Sequence, residues 1–392
     1  MESLKAYGGH GVQTPHLDKL ASNGMCFTHC FANPACSPSR VELMTGTYPR
    51  FMGISHLLSK WEDKAYLDPK KFNGFANQLK KADCATAIAG KGNVSWLERN
   101  DTVEAFGFEE HCLRQMYDRN GVKRSRFYQP YFRINGNIEE QSIADRFGPD
   151  VLANFMIDFM KRNKDKPFLI HYPALSVHNP YVRVPGGGSR NTLPDAKQKS
   201  SPECFPEMLE YLDKNVGRLV NSVKELDLSN KSIVFFCADN GKLGPVTSVR
   251  GENKIRIKGG KMTMTDQGSR VPLIASWPGT VKAGTQCDHF VELADFLSTF
   301  LDLASAPKPV QRMLGQSSLP QLMGEDGPAK PWVHLEYRGD RLIRTKEWIY
   351  TNKDKLIKVN PLGRPENEAE ERSDHPDLCK AMKKVFAKID SR

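Results

Sequence analysis

The 392-residue chain is 39% hydrophobic and 26% charged, enough apolar material for two average domains or for one large domain with an appendage. Its 56 Lys and Arg against 46 Asp and Glu give a net charge of +10, but the basic residues are scattered without a block, which argues against a nucleic-acid partner. No run approaches the roughly 18 uninterrupted apolar residues of a membrane span, and the opening MESLKAYGGHG lacks the apolar core of a signal peptide. Nine cysteines without a CxxC pair suggest neither a zinc ribbon nor a dense disulfide framework. They read as mostly buried thiols, with Cys26 and Cys30 able to bridge to other cysteines in an oxidising compartment.

In chain order, residues 14–21 read as a helix with Thr14 as N-cap, Pro15 at the first helical position, and Leu17, Leu20 and Ala21 on one face. A short helix begins just after Cys36 and ends at Leu43-Met44-Thr45-Gly46. Residues 150–162 form an amphipathic helix, and KPFLIHY at 166–172 reads as a buried strand. The longest helix, 206–226, keeps Leu209, Leu212, Val216, Leu219, Val220, Val223 and Leu226 on one face. SIVFFC at 232–237 is a continuous apolar strand of the kind found inside a parallel sheet, and it ends in Ala238-Asp239-Asn240-Gly241. Residues 271–275 and 290–303 give a further strand and helix, and the Pro/Gly-rich 306–331 marks a boundary. Beyond it, 341–350 reads as antiparallel strand, the acidic run 366–371 as a solvated loop, and 374–389 as a closing helix. The expected architecture is α/β, a mostly parallel central sheet flanked by helices over residues 1–310, with a C-terminal subdomain of antiparallel strands and a helix over 311–392.

Several residues carry possible chemistry. Ligands gather at the carboxyl ends of strands in an open α/β sheet, so the adjacent oxygens of Asp239 and Asn240 suit a hard cation, Ca²⁺ or Mg²⁺; the bland alternative is a plain Asp-Asn-Gly turn. His178, just past a strand in Ser-Val-His-Asn-Pro, can donate to an oxyanion or protonate a leaving group, or be an ordinary surface histidine. Lys91 and Lys261 sit in glycine-flanked turns where backbone and ammonium can meet an anion, or where a lysine is simply solvated. Cys36, in NPACSPSRVELMTG beside Arg40, is either a nucleophile of lowered pKa or a buried structural thiol.

The conjunction of these pieces tips the balance. CSPSRVELMTG closely resembles the signature of the type I sulfatases of the alkaline-phosphatase-like superfamily, and TPHLDKLASNGMCFTHCF, GK, VHNP, FFCADNG and KMTMTDQGSRVPLIASWPG fall in that family's order. The resemblance spans nearly the whole chain. It implies a sulfuric-ester hydrolase in which a formylglycine-generating enzyme oxidises Cys36 to formylglycine. One hydroxyl of the hydrated aldehyde attacks sulfur, and the second expels sulfate. By the same resemblance Arg40 holds the formylglycine, Asp239, Asn240 and the modified Cys36 ligate Ca²⁺ (or Mg²⁺), and Lys91, His178 and Lys261 surround the sulfate. The implied substrate is a sulfated carbohydrate or an aryl sulfate, and the implied setting is periplasmic, secreted or lysosomal. The nearest alternatives are a phosphonate or phosphodiester hydrolase of the same superfamily, and a catalytically impaired binder of sulfated glycans.

The chain departs from the family pattern in places. Family members begin with a buried strand ending in two metal-binding aspartates, followed by a stretch like ESLKAYGG; here the sequence starts at Met1-Glu2-Ser3-Leu4. The expectation is that Met1 is an internal methionine and that about 15 to 20 residues, one strand and its turn, precede it in a longer protein. Asn93 stands where many sulfatases have a histidine, which shifts leaving-group protonation onto His178, and Asp266-Gln267-Gly268 replaces a common Glu-Gly-Gly. Substrate specificity is expected from loops 111–140 and 183–200, which include Arg114, Tyr117, Arg126, Tyr128, Tyr131 and Arg133.

Overall fold

The computed structural model describes residues 1–58, 67–92, 102–118, 120–186, 199–359, 365–369 and 374–391. Its centre is two half-sheets. One contains β3 (Ala85–Lys91), β4 (Glu110–Arg114), β5 (Phe132–Ile134), β6 (Asn137–Glu139) and β7 (Phe168–His171), in the spatial order β6-β5-β4-β3-β7. Here β3 runs parallel to β4 and β7, and the remaining pairings are antiparallel. The other contains β2 (Met25–Phe31), β8 (Val234–Cys237), β11 (Arg270–Ser276) and β12 (Thr285–Glu292), in the order β12-β2-β11-β8. In it β2 is parallel to β12, whereas β11 is antiparallel to both β2 and β8. An antiparallel ribbon of β1 (Gly9–His10), β9 (Thr247–Arg250) and β10 (Ile255–Lys258) lies beside them. The α/β class holds, with the sheets mixed. The apolar run before Asp239, read from sequence as a parallel strand, pairs antiparallel with β11. A strand covered on both faces is apolar whichever way its neighbour runs, so composition does not set direction.

Helices cover both faces. On one, Leu17 and Leu20 of the helix Pro15–Ser22, Leu152 and Met156 of Gly148–Asn163, and Met208 and Leu209 of Phe205–Glu225 join Ile170 of β7 and Phe236 of β8 in one cluster. On the other, Val41 and Met44 of Cys36–Thr45, Phe75 and Leu79 of Phe75–Lys80, and Leu297 of Asp295–Ala304 pack on Ile88 of β3 and Leu169 of β7. Edge-on ring contacts, His171 to Phe75, Phe75 to Phe300 and Phe300 to Phe235, run from β7 to β8 through this layer. Both strands are only partly buried along their whole length, whereas β3 is buried throughout. Among the described residues each pairs along one edge only. Apolar content says what a strand can bury, not whether a second neighbour lies alongside it.

Three local expectations change. Thr14 Oγ1 makes no hydrogen bond; Asp213, from the helix Phe205–Glu225, accepts from His16 N at 3.1 Å and Leu17 N at 2.7 Å and so caps the first helix from across the fold. Phe290 to Glu292 complete β12, and the helix after them begins at Asp295, whose Oδ2 accepts from Glu292 N at 2.9 Å. The acidic run is not a loop where it is described: Pro365–Ala369 is β17, an edge strand on β16 (Leu356–Val359).

These two strands close an antiparallel meander with β13 (Val333–Tyr337), β14 (Asp340–Arg344) and β15 (Trp348–Thr351). One face packs on Met382 and Phe386 of the helix Pro376–Asp390, the other on Phe31 and Phe290 of the central sheet. The seam with the helix Cys36–Thr45 is polar at its centre. Glu42 accepts from Ala294 N (3.1 Å) and Asn33 Nδ2, and Glu292 accepts from Tyr48 Oη (2.8 Å), His334 N (2.8 Å) and Lys330 Nζ (2.9 Å). Asp295 takes the same ammonium at 2.6 Å, and Glu336 accepts from Arg50 N. Burial pushes all three glutamates up, Glu42 also by repulsion from Glu292 and Glu336, and Glu336 reaches about 7. All nine cysteines are free thiols, and no helix among the described residues is long and apolar enough to cross a membrane.

Candidate active site

Cys36 is the first residue of the helix Cys36–Thr45, where unpaired backbone N–H groups and the helix dipole favour negative charge. The N-terminal turn is held from several sides: Ser39 Oγ donates to Asn33 O at 2.8 Å, and Ser37 Oγ accepts from Leu58 N at 3.0 Å. Asn33 Oδ1 in turn accepts from Glu336 N at 2.7 Å, which ties the turn to the C-terminal sheet. Gly46, at φ +63°, ends the helix in the left-handed conformation that glycine adopts without strain.

The ends of the strands converge on Cys36. Lys91, the last residue of β3, places Nζ 3.1 Å from Cys36 Sγ. Gly90 permits this, because a Cβ there would stand 2.1 Å from Pro173 O. Arg40, one helical turn below Cys36, donates to Lys91 O at 2.6 Å and Gly92 O at 3.2 Å, and its Nε lies 3.9 Å from Asp239 Oδ2 at the end of β8. Lys261 stands in a loop pinned by Lys261 N to Lys242 O (2.9 Å) and Met262 N to Pro34 O (2.7 Å). Burial pushes the Cys36 thiol up, but Lys91 and Lys261 more than reverse this and bring it below its ordinary value. Burial lowers the Lys91 ammonium, with Arg40 and Lys261 adding to the effect against Cys36 and Asp239.

His178 follows β7. Its Nδ1 lies 2.7 Å from Asn179 O and 3.1 Å from the guanidinium of Arg126. Burial first, then the charges of Lys91, Lys261 and Arg126, hold the imidazole well below its ordinary pKa, so it is neutral in the free protein.

Asp239 is half-exposed and Asn240 partly buried. Asn240 Nδ2 donates to Gly241 O at 2.8 Å, while its Oδ1 is buried without a hydrogen-bond partner. An orphaned amide oxygen beside a carboxylate, both acceptor-only, fits a hard cation. Among the described residues no group of three His, Cys, Asp or Glu side chains gathers as a metal cage, so the pair supplies only part of a coordination shell.

The structure thus brings Cys36, Lys91, Arg40 and Asp239 into one chain of contacts. It sets Lys261 and His178 within their electrostatic field and places Asn240 next to Asp239. Asn93 and residues 187–198 of the second specificity loop lie outside the described residues. Arg114 pairs in register with Lys91 and is buried, Arg126 touches His178, and Tyr128 donates to Arg183 O at 3.0 Å. The supporting roles of Asn33 and Glu42 have no sequence signal, since both depend on distant partners: Asn33 on Glu336 N in the C-terminal sheet, 303 positions along the chain, and Glu42 on Ala294 N, 252 positions along.

Two family models match: Sulfatase over residues 1–306, and N-sulphoglucosamine sulphohydrolase, C-terminal, over residues 260–376. The chain belongs to the sulfatase family. The N-acetylgalactosamine-6-sulfatase of Canis lupus familiaris is 28% identical to this sulfatase over 377 residues, covering 89% of this chain and 70% of that protein. The crystal structure of Ps i-CgsB superposes with a TM-score of 0.78 at 22% identity, covering 96% of this chain and 87% of that one. The phosphonate monoester hydrolase of Agrobacterium radiobacter superposes with a TM-score of 0.68 at 16% identity, covering 100% and 92%. These two likenesses are of fold alone. Family membership and homologues named as sulfatases make the chain a sulfuric-ester hydrolase.

Proposed function

We propose that this sulfatase cleaves a sulfate ester of a sugar or aryl alcohol at position 36, after Cys36 is converted to formylglycine and with Ca²⁺ or Mg²⁺ on Asp239 and Asn240. The observation that carries the reading is the Lys91 ammonium 3.1 Å from the Cys36 sulfur at a helix N-terminus, with Arg40 and Lys261 around it. That is a cationic cup around a single nucleophilic atom. Formylglycine supplies an aldehyde hydrate, one hydroxyl to attack sulfur and another to release sulfate. The cation supplies fixed positive charge against the sulfate oxygens.

The rest is the work of the chain. Lys91 holds the attacking oxygen where Sγ now stands and favours its deprotonated form, as it does for the thiol. Lys91 and Lys261 meet the sulfate oxygens, and because the Lys91 ammonium is already held at position 36 and the backbone of Lys261 is pinned, little reorganisation is needed as charge develops. Arg40 binds the carbonyls of Lys91 and Gly92 and faces Asp239, which locks the strand ends against the nucleophile helix. His178 presents Nε2 to the leaving oxygen. The negative charge of a bound ester offsets Lys91 and Lys261, so the proton affinity of His178 rises as substrate enters.

The relative named for N-acetylgalactosamine-6-sulfate supports a sulfated-sugar substrate. One observation favours the second reading, a binder of sulfated glycans with impaired catalysis: among the described residues the cation position offers the carboxylate of Asp239 and the neutral amide oxygen of Asn240, and no group of three His, Cys, Asp or Glu side chains gathers there. Turnover of 4-nitrophenyl sulfate and of the corresponding phosphate diester, each with and without chelator, tests both. Chelator-sensitive sulfate release supports the proposal. Faster diester cleavage assigns the superfamily alternative, and glycan binding without release assigns the binder.

A further inference from the structure

His178 Nδ1 receives two incompatible claims. Asn179 O, at 2.7 Å, can only accept, and so asks for a proton on Nδ1. Arg126, whose NH1 is 3.1 Å away, can only donate, and so asks for a lone pair there. The other ring nitrogen, Nε2, has no hydrogen-bond partner among the described residues. In a neutral imidazole the claim that wins at Nδ1 decides what Nε2 can do. If Asn179 wins, Nε2 is a bare acceptor. If Arg126 wins, Nε2 carries the proton.

We propose that Arg126 is a positioning residue that selects the Nε2–H tautomer of His178, so that the histidine offers a proton toward the sulfate site bounded by Lys91 and Lys261. A charge-assisted hydrogen bond outweighs a neutral one by roughly a factor of two, which favours the guanidinium over the carbonyl. Arg126 is built to stay in place. It is buried, and the neighbouring Phe127 is fully buried in the central core with its ring stacked on Phe147. Phe127 O accepts from Gly148 N at 2.7 Å, at the start of the helix Gly148–Asn163. Gly148 has no room for a side chain, since a Cβ would stand 2.2 Å from Arg126 O. The charged groups that act on the ring are Lys91, Lys261 and Arg126, and all three oppose a second proton. This leaves tautomer choice as the means of arming Nε2.

The inference rests on His178 facing the leaving group, but its test does not need turnover. The ring ¹⁵N shifts of His178, assigned by their loss in H178Q, are recorded in the wild type, R126M and R126K without substrate. The expected result is a protonated Nε2 and bare Nδ1 in the wild type, reversal in R126M, and retention in R126K, whose ammonium can also donate to Nδ1. A protonated Nδ1 in the wild type, or an unchanged tautomer in folded R126M, overturns the proposal. In matured protein, R126M should lower kcat by about 100-fold for a sulfate ester with a poor leaving group, and much less for 4-nitrophenyl sulfate, which needs little protonation. A loss confined to KM, equal for both esters, would make Arg126 a substrate-binding residue instead. A reversed tautomer in a protein that hydrolyses no sulfate ester would leave the Arg126 assignment standing and remove the sulfatase reading.

Discussion

Replacing Lys91 with methionine separates the catalytic value of its charge from its cost to the fold. At 3.1 Å from the nucleophilic atom, with an effective dielectric of about 20, Coulomb attraction to an anion at position 36 is about 5 kcal/mol. Water entering the emptied space and compensation by Lys261 reduce what is lost. Removal of a single preorganised donor elsewhere costs about 3 to 4 kcal/mol, so kcat/KM for 4-nitrophenyl sulfate should fall by about 10²- to 10³-fold. Stability should move the other way. Burial lowers the Lys91 pKa, which means the folded state disfavours the charge, and methionine fills a similar volume without that penalty. Arg40 keeps its bond to the backbone carbonyl of residue 91 in the variant. Initial rates and thermal unfolding on the same preparation check both halves. Activity within a few fold of wild type, or a fall in midpoint large enough to explain lost activity, would mean that the Lys91 charge does not stabilise the reacting anion.

Three further outcomes follow from the same geometry. Asn240→Asp adds a carboxylate at the orphaned Oδ1 and should tighten Ca²⁺ binding in calorimetry, while Asn240→Ala weakens it; equal affinity in both would remove Asn240 from the cation site. The buried glutamates of the seam have raised pKa values, so the stability they allow is full below the ordinary glutamate range and is lost as pH rises toward about 7 for Glu336. The thermal midpoint should therefore decline between about pH 5 and 8, less steeply in Glu336→Gln, and a midpoint that climbs over that interval would contradict it. Amides of β7 and β8 on their open edges should exchange with solvent much faster than those of β3, as mass-resolved hydrogen exchange can show; equal protection would mean those edges are paired in solution.

Much of the site was legible in the sequence because it is made of short local pieces. Cys36 and Arg40 share a helix turn, and Asp239-Asn240 close an apolar strand, so spacing along the chain already carries their proximity. The helix 205–225 was likewise plain from its apolar stripe. What escaped depends on partners far along the chain. Asp213 caps a helix almost 200 positions away, which no pattern around Thr14 records. Glu42 lies within the signature yet accepts from Ala294 N and faces Glu292 at the end of β12, a matter of how the last strand of the central sheet packs on the nucleophile helix. Part of the acidic run is an edge strand because backbone pairing with β16 outweighs the low strand propensity of glutamate. Nothing in the sequence separates Arg126 from the other arginines and tyrosines of its segment; only the fold, which brings its guanidinium to His178, does so.

Sulfate release depends first on what position 36 becomes. A single preparation from cells with active maturation machinery should be divided between mass analysis of the peptide containing Cys36 and measurement of sulfate release. Residue 36 should have lost sulfur and two hydrogens and gained oxygen, with sulfate release proportional to that fraction and absent in Cys36→Ala. An intact thiol in protein that releases sulfate at full rate would contradict it.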